Sequence, residues 1–296
     1  MPADAARLHI AIQKSGRLSE LSRNLLRDAG FRLQNGKNDL TARVENFPAD
    51  LMFVRDDDIP TFVADGVCEL GIVGGNVLRE FELGEAEQRC DIVAKLGYGR
   101  CTLKLAAPEA TEWNGAESLQ GARIATSYPH IVQSYLDERQ IAATVVRMSG
   151  AVELAPRLQI APFICDLVST GATLEANNLK AVETVFESEA VLVRTRKPVT
   201  EAKEDQVARL LSRIEGVLAT KESKYIMLNA PGEALAAISA LLPGAEAPTI
   251  LPLHQRPGHF AVHAVCQESV FWETLQKLKA SGASAILVLP IEKMML

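Results

Sequence analysis

Residues 163–174 read Phe163-Ile164-Cys165-Asp166-Leu167-Val168-Ser169-Thr170-Gly171-Ala172-Thr173-Leu174. An apolar strand delivers one carboxylate into a hydroxyl-rich turn around a central glycine, and a helix start follows. The order recurs near the N-terminus. There Leu8-His9-Ile10-Ala11-Ile12 leads through Gln13-Lys14-Ser15-Gly16-Arg17 to a helix over about 18–29, with Leu21, Leu25 and Leu26 on one face and Gly30 as its stop. Between these stretches, Leu51-Met52-Phe53-Val54 runs into Arg55-Asp56-Asp57-Asp58-Ile59-Pro60, Pro60 begins a helix closed at Gly66, and Leu70-Gly71-Ile72-Val73 precedes Gly74-Gly75-Asn76. Strand–turn–helix alternation of this kind predicts an α/β sheet.

A second unit opens near Cys101. Arg123-Ile124-Ala125-Thr126 enters Ser127-Tyr128-Pro129-His130, and a helix carries Ile131, Val132, Tyr135 and Leu136. The two units echo each other: Glu69-Leu70 before Gly74 matches Asp166-Leu167 before Gly171, and Ile10-Ala11 matches Ile124-Ala125. Two similar lobes with a cleft between them are expected, with ligand beyond the carboxyl ends of the strands. Val191 to Arg194 returns as a strand to the first lobe. A long helix over about 201–221 then presents Val207, Leu210, Leu211, Ile214, Val217 and Leu218 in one stripe. The remainder reads β-α-β-β-α-β, the ferredoxin-like order, which suits a ligand-sensing or an oligomerising module. The expected division is residues 1–100 with 187–223 as lobe I, 101–186 as lobe II, and 224–296 as the appended domain.

Composition narrows the class. The chain has 296 residues, 48% apolar and 23% charged, which excludes a disordered chain and suits two or three domains. No run of about 18 or more apolar residues is present, so no membrane span is expected. The first residues lack an apolar signal core, and a cytoplasmic location follows as an expectation. A net charge of −6 argues against a general nucleic-acid binder, though not against an anionic small molecule met at a local positive site. The five cysteines, Cys68, Cys90, Cys101, Cys165 and Cys266, make no CxxC and no zinc-ligand spacing, which predicts reduced core thiols and no protein-built metal centre. Neither the cysteines nor the five histidines form a nucleophile triad.

The chemistry concentrates in the turns. Backbone N–H groups and the hydroxyls of Ser169, Thr170 and Thr173, at a helix N-terminus, make a phosphate cradle with Gly171 and Ala172, and Asp166 at its mouth suits the two hydroxyls of a ribose. Helix capping by Ser and Thr explains the same residues. Lys14 and Arg17 flank a glycine directly after a strand, which suits a pyrophosphate or two solvated surface cations. Asp56 remains open between a magnesium–phosphate role and capping, while Asp58 reads as a cap. Gly75 lies in a turn that either approaches a ligand closely or is simply tight.

On these residues the chain resembles the ATP phosphoribosyltransferase family in its long form. The family signature runs from Glu153 through Asp166 to the Ser169-to-Leu174 turn. The resemblance continues through 13–18, 54–60, 124–130, 222–228, 248–253 and 286–294, essentially the whole chain in order. Two departures stand out. Gln159 replaces an expected glycine, which disfavours a positive φ and predicts an altered local turn. Gly75 replaces a larger, often acidic residue.

The resemblance implies a two-lobed, periplasmic-binding-protein-like catalytic core with an ACT-like regulatory domain. It implies transfer of the phosphoribosyl group of phosphoribosyl pyrophosphate to N1 of ATP, with magnesium carried on the substrate phosphates. Lys14 and Arg17 would neutralise the leaving pyrophosphate, Asp166 would hold the ribose, and residues 169–173 the 5′-phosphate. Arg55 and Asp56 would face ATP or the pyrophosphate–magnesium, and Glu153 takes either a site or a structural role. Tyr128 suits packing on a base or a place at the core rim. Histidine would be the inhibitor, with Asn229 and Thr249 as candidate contacts. Dimers assembling to a hexamer are expected, with no separate regulatory subunit. A non-catalytic two-lobed binding protein and a transferase for another base are the competing readings.

Overall fold

The computed structural model describes residues 7–34, 40–85, 87–169, 171–221, 223–242, 247–267 and 271–294. The first sheet is built around β1 (Leu8–Gln13), whose Leu8, Ile10, Ala11 and Ile12 are fully buried between two parallel neighbours. After β1 come α1 (Arg17–Asp28), β2 (Thr41–Arg43), β3 (Ala49–Val54), α2 (Ile59–Ala64), β4 (Leu70–Gly74), α3 (Gly75–Gly84) and β5 (Cys90–Lys95). Gly71 allows α2 to lie close on the sheet: a Cβ there would stand 2.8 Å from both Ile59 Cγ2 and Val63 Cγ2.

The second lobe follows as β6 (Cys101–Pro108), β7 (Arg123–Thr126), α4 (Pro129–Glu138), β8 (Thr144–Arg147), β9 (Phe163–Val168), α5 (Ala172–Ala176) and β10 (Leu179–Ser188). The chain then returns through β11 (Ala190–Thr195) to the first sheet. The sheets run β2-β3-β1-β4-β11-β5 and β10-β6-β9-β7-β8. Read from β3 and from β8 they share one plan. A central strand has a parallel neighbour on each side, then an antiparallel strand, then another antiparallel to that one.

This plan corrects part of the sequence echo. Ile10 pairs with Leu70 and Ile124 with Phe163, so Leu70 and Phe163 occupy the same place. Glu69 stands one residue before Leu70, whereas Asp166 stands three beyond Phe163, so the two acids are not equivalent. Glu69 is instead structural: it is 6% exposed, accepts the His9 N–H at 2.7 Å and pairs with Lys203 Nζ at 2.6 Å.

Helix α6 (Glu201–Lys221) buries Val207, Leu210, Ile214 and Val217, while Leu211 and Leu218 stay partly exposed. The last part comprises β12 (Ser223–Pro231), α7 (Leu235–Leu241), β13 (Thr249–Pro252), β14 (His259–Gln267), α8 (Phe271–Ala280) and β15 (Ser284–Pro290). Its antiparallel sheet has the order β13-β14-β12-β15, the ferredoxin-like arrangement. Ile226, Leu228, Val262 and Ala264 pack with Ile238, Leu242 and Leu278 on its helical face. By contacts the chain divides into two compact units. One runs through Asn24 and from Phe31 to Val207, holding both lobes; the other takes Leu25–Gly30 with Ala208 onward.

Candidate active site

The carboxyl ends of the parallel strands carry most of the residues singled out from sequence. In lobe I, Lys14 follows β1, Arg55 and Asp56 follow β3, and Gly75 follows β4. The Lys14 N–H donates to the Val54 carbonyl at 2.8 Å, which sets the turns after β1 and β3 side by side. Gly16, at φ +97, turns the chain into α1 and leaves Lys14 and Arg17 exposed. Among the described residues, no ion pair or hydrogen bond engages the side chains of Lys14, Arg17, Arg55 or Asp56, while the Lys14 carbonyl accepts the Ser19 hydroxyl at 3.1 Å.

In lobe II, Glu153, Asp166, Ser169, Gly171 and Thr173 line one cavity of about 110 Å³, with Leu167, Val168 and Leu174. Glu153 comes from a short helical turn at Val152–Leu154, and the other residues from the end of β9 and the start of α5. Asp166 Oδ1 accepts the Leu167 N–H at 2.8 Å. Burial raises the Asp166 carboxyl above the ordinary carboxylate value, the Leu167 N–H offsets part of that, and the nearby Glu153 raises it further. A larger cavity of about 770 Å³ shares Val168 and Ser169 and extends to Gly75, Arg79, Lys95 and Arg100.

Several expectations change on this geometry. The residue at the N-cap of α5 is Gly171, at φ +82, and no side chain caps the helix, so the Ser169 and Thr173 hydroxyls are not committed to that role. No backbone acceptor engages the N–H groups of Gly171, Ala172 or Thr173 among the described residues. Thr170, the remaining cradle residue, lies outside the described residues. Helix α5 has five residues, too short for a substantial dipole, so the cradle rests on its N–H groups and hydroxyls. Asp58 does occupy the N-cap position of α2, yet makes no capping hydrogen bond, because its φ and ψ (−85°, −21°) are already helical. Gln159 has φ +56, so the expected loss of the left-handed turn does not occur; the non-glycine residue is held there by neighbouring bonds, Gln159 N–H to Pro156 O at 3.1 Å and Ile160 N–H to Ala155 O at 3.0 Å.

The contacts that join the lobes were not foreseen from sequence. Asn76 Nδ2 donates to Tyr128 Oη at 2.9 Å. Glu80 accepts the N–H groups of His130 and Ile131, each at 2.9 Å, and so caps α4 from the other lobe. Arg147, at the end of β8, lies close enough to lower the Asp57 carboxyl, which burial and its neighbours Asp56 and Asp58 raise. Position at the end of a parallel strand was the available signal for Arg147, and Asn76 stands in the Gly74-Gly75-Asn76 turn after β4; nothing in the sequence marks Glu80. Tyr128 is a rim residue of the lobe II core whose hydroxyl, through burial and the nearby Asp166, Asp57 and Asp56, is held protonated.

The cysteines are free thiols. Burial pushes Cys68 up to about 12 and Cys90 up to about 11, which suits inert core positions. Among the described residues no group of three acid, histidine or cysteine side chains is placed to hold a metal by itself, and no helix is long and apolar enough to cross a membrane. Asn229 pairs with Ala261 and Thr249 with His263, on the same face of the third sheet with β14 between them.

Comparison with known proteins gives concordant results. Residues 55–216 match the family model described as ATP phosphoribosyltransferase, and residues 220–293 match the HisG C-terminal domain. A protein named ATP phosphoribosyltransferase from Maricaulis maris (strain MCS10) is 53% identical over 292 residues, 98% of this chain and 99% of that one. The ATP phosphoribosyl transferase (HisG:HisZ) complex from Thermotoga maritima contains a chain with TM-score 0.61 and 25% identity, covering 72% of this chain and 98% of that one. The periplasmic VFT2 domain of Bordetella pertussis BvgS matches with TM-score 0.45 and 13% identity, over 72% of this chain and 88% of that one.

Proposed function

The chain belongs to the ATP phosphoribosyltransferase family, pentosyltransferases that catalyse the first step of histidine biosynthesis, and from that premise we infer how its residues carry the reaction. N1 of the adenine attacks C1 of phosphoribosyl pyrophosphate. A C–N bond forms with inversion, the C–O bond to pyrophosphate breaks, and the ribosyl carbon becomes cation-like between them. No covalent enzyme intermediate is required, so catalysis is positioning and electrostatics.

The observation that carries the site assignment is the small lobe II cavity, where Asp166 and Glu153 stand beside a turn with uncommitted hydroxyls and N–H groups. Ser169, Thr170, Gly171, Ala172 and Thr173 hold the 5′-phosphate in this reading. Asp166 accepts from the ribose hydroxyls, and Glu153 shapes the same wall. Lys14 and Arg17 neutralise the departing pyrophosphate, and Arg55 faces it from the adjacent turn. Magnesium, carried on the substrate phosphates, would supply charge neutralisation at the leaving group. An ion so carried needs only one or two protein carboxylates, and Asp56 is the free acid beside Arg55 that suits it.

The domain at residues 224–296 is proposed to sense histidine, with Asn229 and Thr249 as contacts, in place of a separate regulatory subunit. The chain is read as a cytoplasmic homo-oligomer, dimers assembling to a hexamer, working with residues 1–100 and 187–223 as one lobe and 101–186 as the other. Purified protein with ATP, phosphoribosyl pyrophosphate and magnesium is expected to form a new ultraviolet-absorbing product, N1-(5-phosphoribosyl)-ATP. Binding of both substrates without product would favour a non-catalytic binding protein.

A further inference from the structure

The start of α3 is held to the second crossing between the lobes by a closed set of hydrogen bonds. The Gly75 N–H donates to the Glu189 carbonyl at 2.8 Å. The Asn76 N–H donates to Ser188 Oγ at 2.9 Å, and the Ser188 hydroxyl donates back to Asn76 Oδ1 at 2.8 Å. That return bond fixes which end of the amide faces the serine, so Nδ2 is directed to Tyr128 Oη, 2.9 Å away. Asn76 is 5% exposed and Ser188 7%. One buried amide therefore touches three parts of the catalytic unit: its own lobe I helix, the end of β10 where the chain crosses, and the residue that enters α4 in lobe II.

The consequence falls on the Tyr128 proton. Because Tyr128 Oη accepts from Asn76, its own O–H remains available to an acceptor on another side, and none is found among the described residues. Burial and the nearby Asp166, Asp57 and Asp56 keep the phenol neutral. Tyr128 stands just beyond the carboxyl end of β7, beside its parallel neighbour β9 that carries Asp166, at the strand ends where the substrate oxygens are expected.

We propose that Asn76 is a positioning residue for phosphoribosyl transfer: it holds the Tyr128 hydroxyl as a donor to an oxygen of phosphoribosyl pyrophosphate and ties that placement to the interlobe crossing at Ser188. The proposal rests on the phosphoribosyltransferase reading above. A purely structural asparagine, present only to satisfy buried polar groups, would affect melting temperature and leave kcat alone.

The test uses the full chain and four proteins: wild type, Tyr128→Phe, Ser188→Ala and the double variant. Ser188 and Tyr128 share no hydrogen bond and are linked by Asn76. Tyr128→Phe keeps the ring and removes the donor; Ser188→Ala frees the amide to rotate. Each is expected to lower kcat at least about fivefold, with KM for both substrates within about threefold and the double variant no slower than the slower single one. A wild-type kcat in Tyr128→Phe, or effects that multiply in the double variant, would overturn the proposal. Should Ser188→Ala lose its fold, seen as loss of the thermal transition, Tyr128→Phe alone still decides. Failure of the wild-type enzyme to form product would instead overturn the transferase reading.

Discussion

The Asp166 carboxyl is pressed by burial and by Glu153, and its proton affinity is raised on both accounts. An acid raised in this way still holds its proton, in the folded state, at pH values where the unfolded chain has lost it. Ionising it therefore costs stability as pH rises from 3.8 toward the folded value, and the cost persists above that value. Asp166→Asn is accordingly expected to melt no lower than wild type at neutral pH. The same variant should lose at least about tenfold in kcat/KM for phosphoribosyl pyrophosphate, about 1.4 kcal/mol of transition-state stabilisation. A lower melting temperature, or wild-type kinetics, would contradict this account. The acid limb of the wild-type pH–rate profile should fall above 3.8 and be absent from the variant. At Gln159, φ +56 carries the strain of a left-handed side chain. Gln159→Val, whose branched Cβ fits that region poorly, should lower unfolding free energy by about 1–2 kcal/mol in urea melts, and Gln159→Gly should not lower it.

Helix α3 bears on both lobes through a few contacts at its start and middle. At Gly75 an added Cβ would stand 3.2 Å from the Glu189 carbonyl and 3.5 Å from Ser188 Oγ. This closeness explains how the larger residue expected at position 75 can be absent here: the helix start packs directly on the crossing. Gly75→Ala must push that backbone by a few tenths of an ångström. It should lower kcat several-fold for a stability loss of about 1 kcal/mol, separable by comparing turnover with the thermal midpoint. Equal turnover with an unchanged midpoint would show that the crossing yields freely. Helix α5 shows the reverse relation between sequence and element. Its hydroxyl-rich approach reads as a capped helix start, but the helix stops after five residues and its N-cap is glycine. Local pattern identifies a turn after a strand; how far the following helix extends depends on β10, against which it packs.

At the scale of the molecule, the third sheet packs its helices on one face and, among the described residues, leaves the other exposed. Leu251, Leu287 and Leu289 are 52%, 51% and 46% exposed, and by pairing they share that face with Tyr225 and Met227. An apolar face of this kind supports the homo-oligomer reading. Leu251→Asp with Leu289→Asp should reduce the mass seen by light scattering, and an unchanged mass would place the assembly surface elsewhere. Asn229→Ala and Thr249→Ala should each raise the histidine concentration needed for half-inhibition by at least about fivefold without changing uninhibited turnover; unchanged inhibition would remove them from the effector site. Three segments show how legible all this was. The strand–turn–helix order of residues 8–29 and 163–174, and the β-α-β-β-α-β tail, specify the fold class by themselves, because apolar periodicity and turn residues are local properties of the chain. Asp166 and the Ser169–Thr173 turn were readable as a strand-end carboxylate and a hydroxyl-rich turn, and Glu153 only through the resemblance to a known family. The interlobe contacts of Asn76, Glu80 and Arg147 were not legible, since they arise only when one lobe meets the other. Sequence determined which elements form and which turns end the strands. Only the tertiary structure decided which side chains share a cavity and which amide spans the lobes, because hydrogen bonds between residues such as Asn76 and Tyr128 depend on distances that no local pattern encodes.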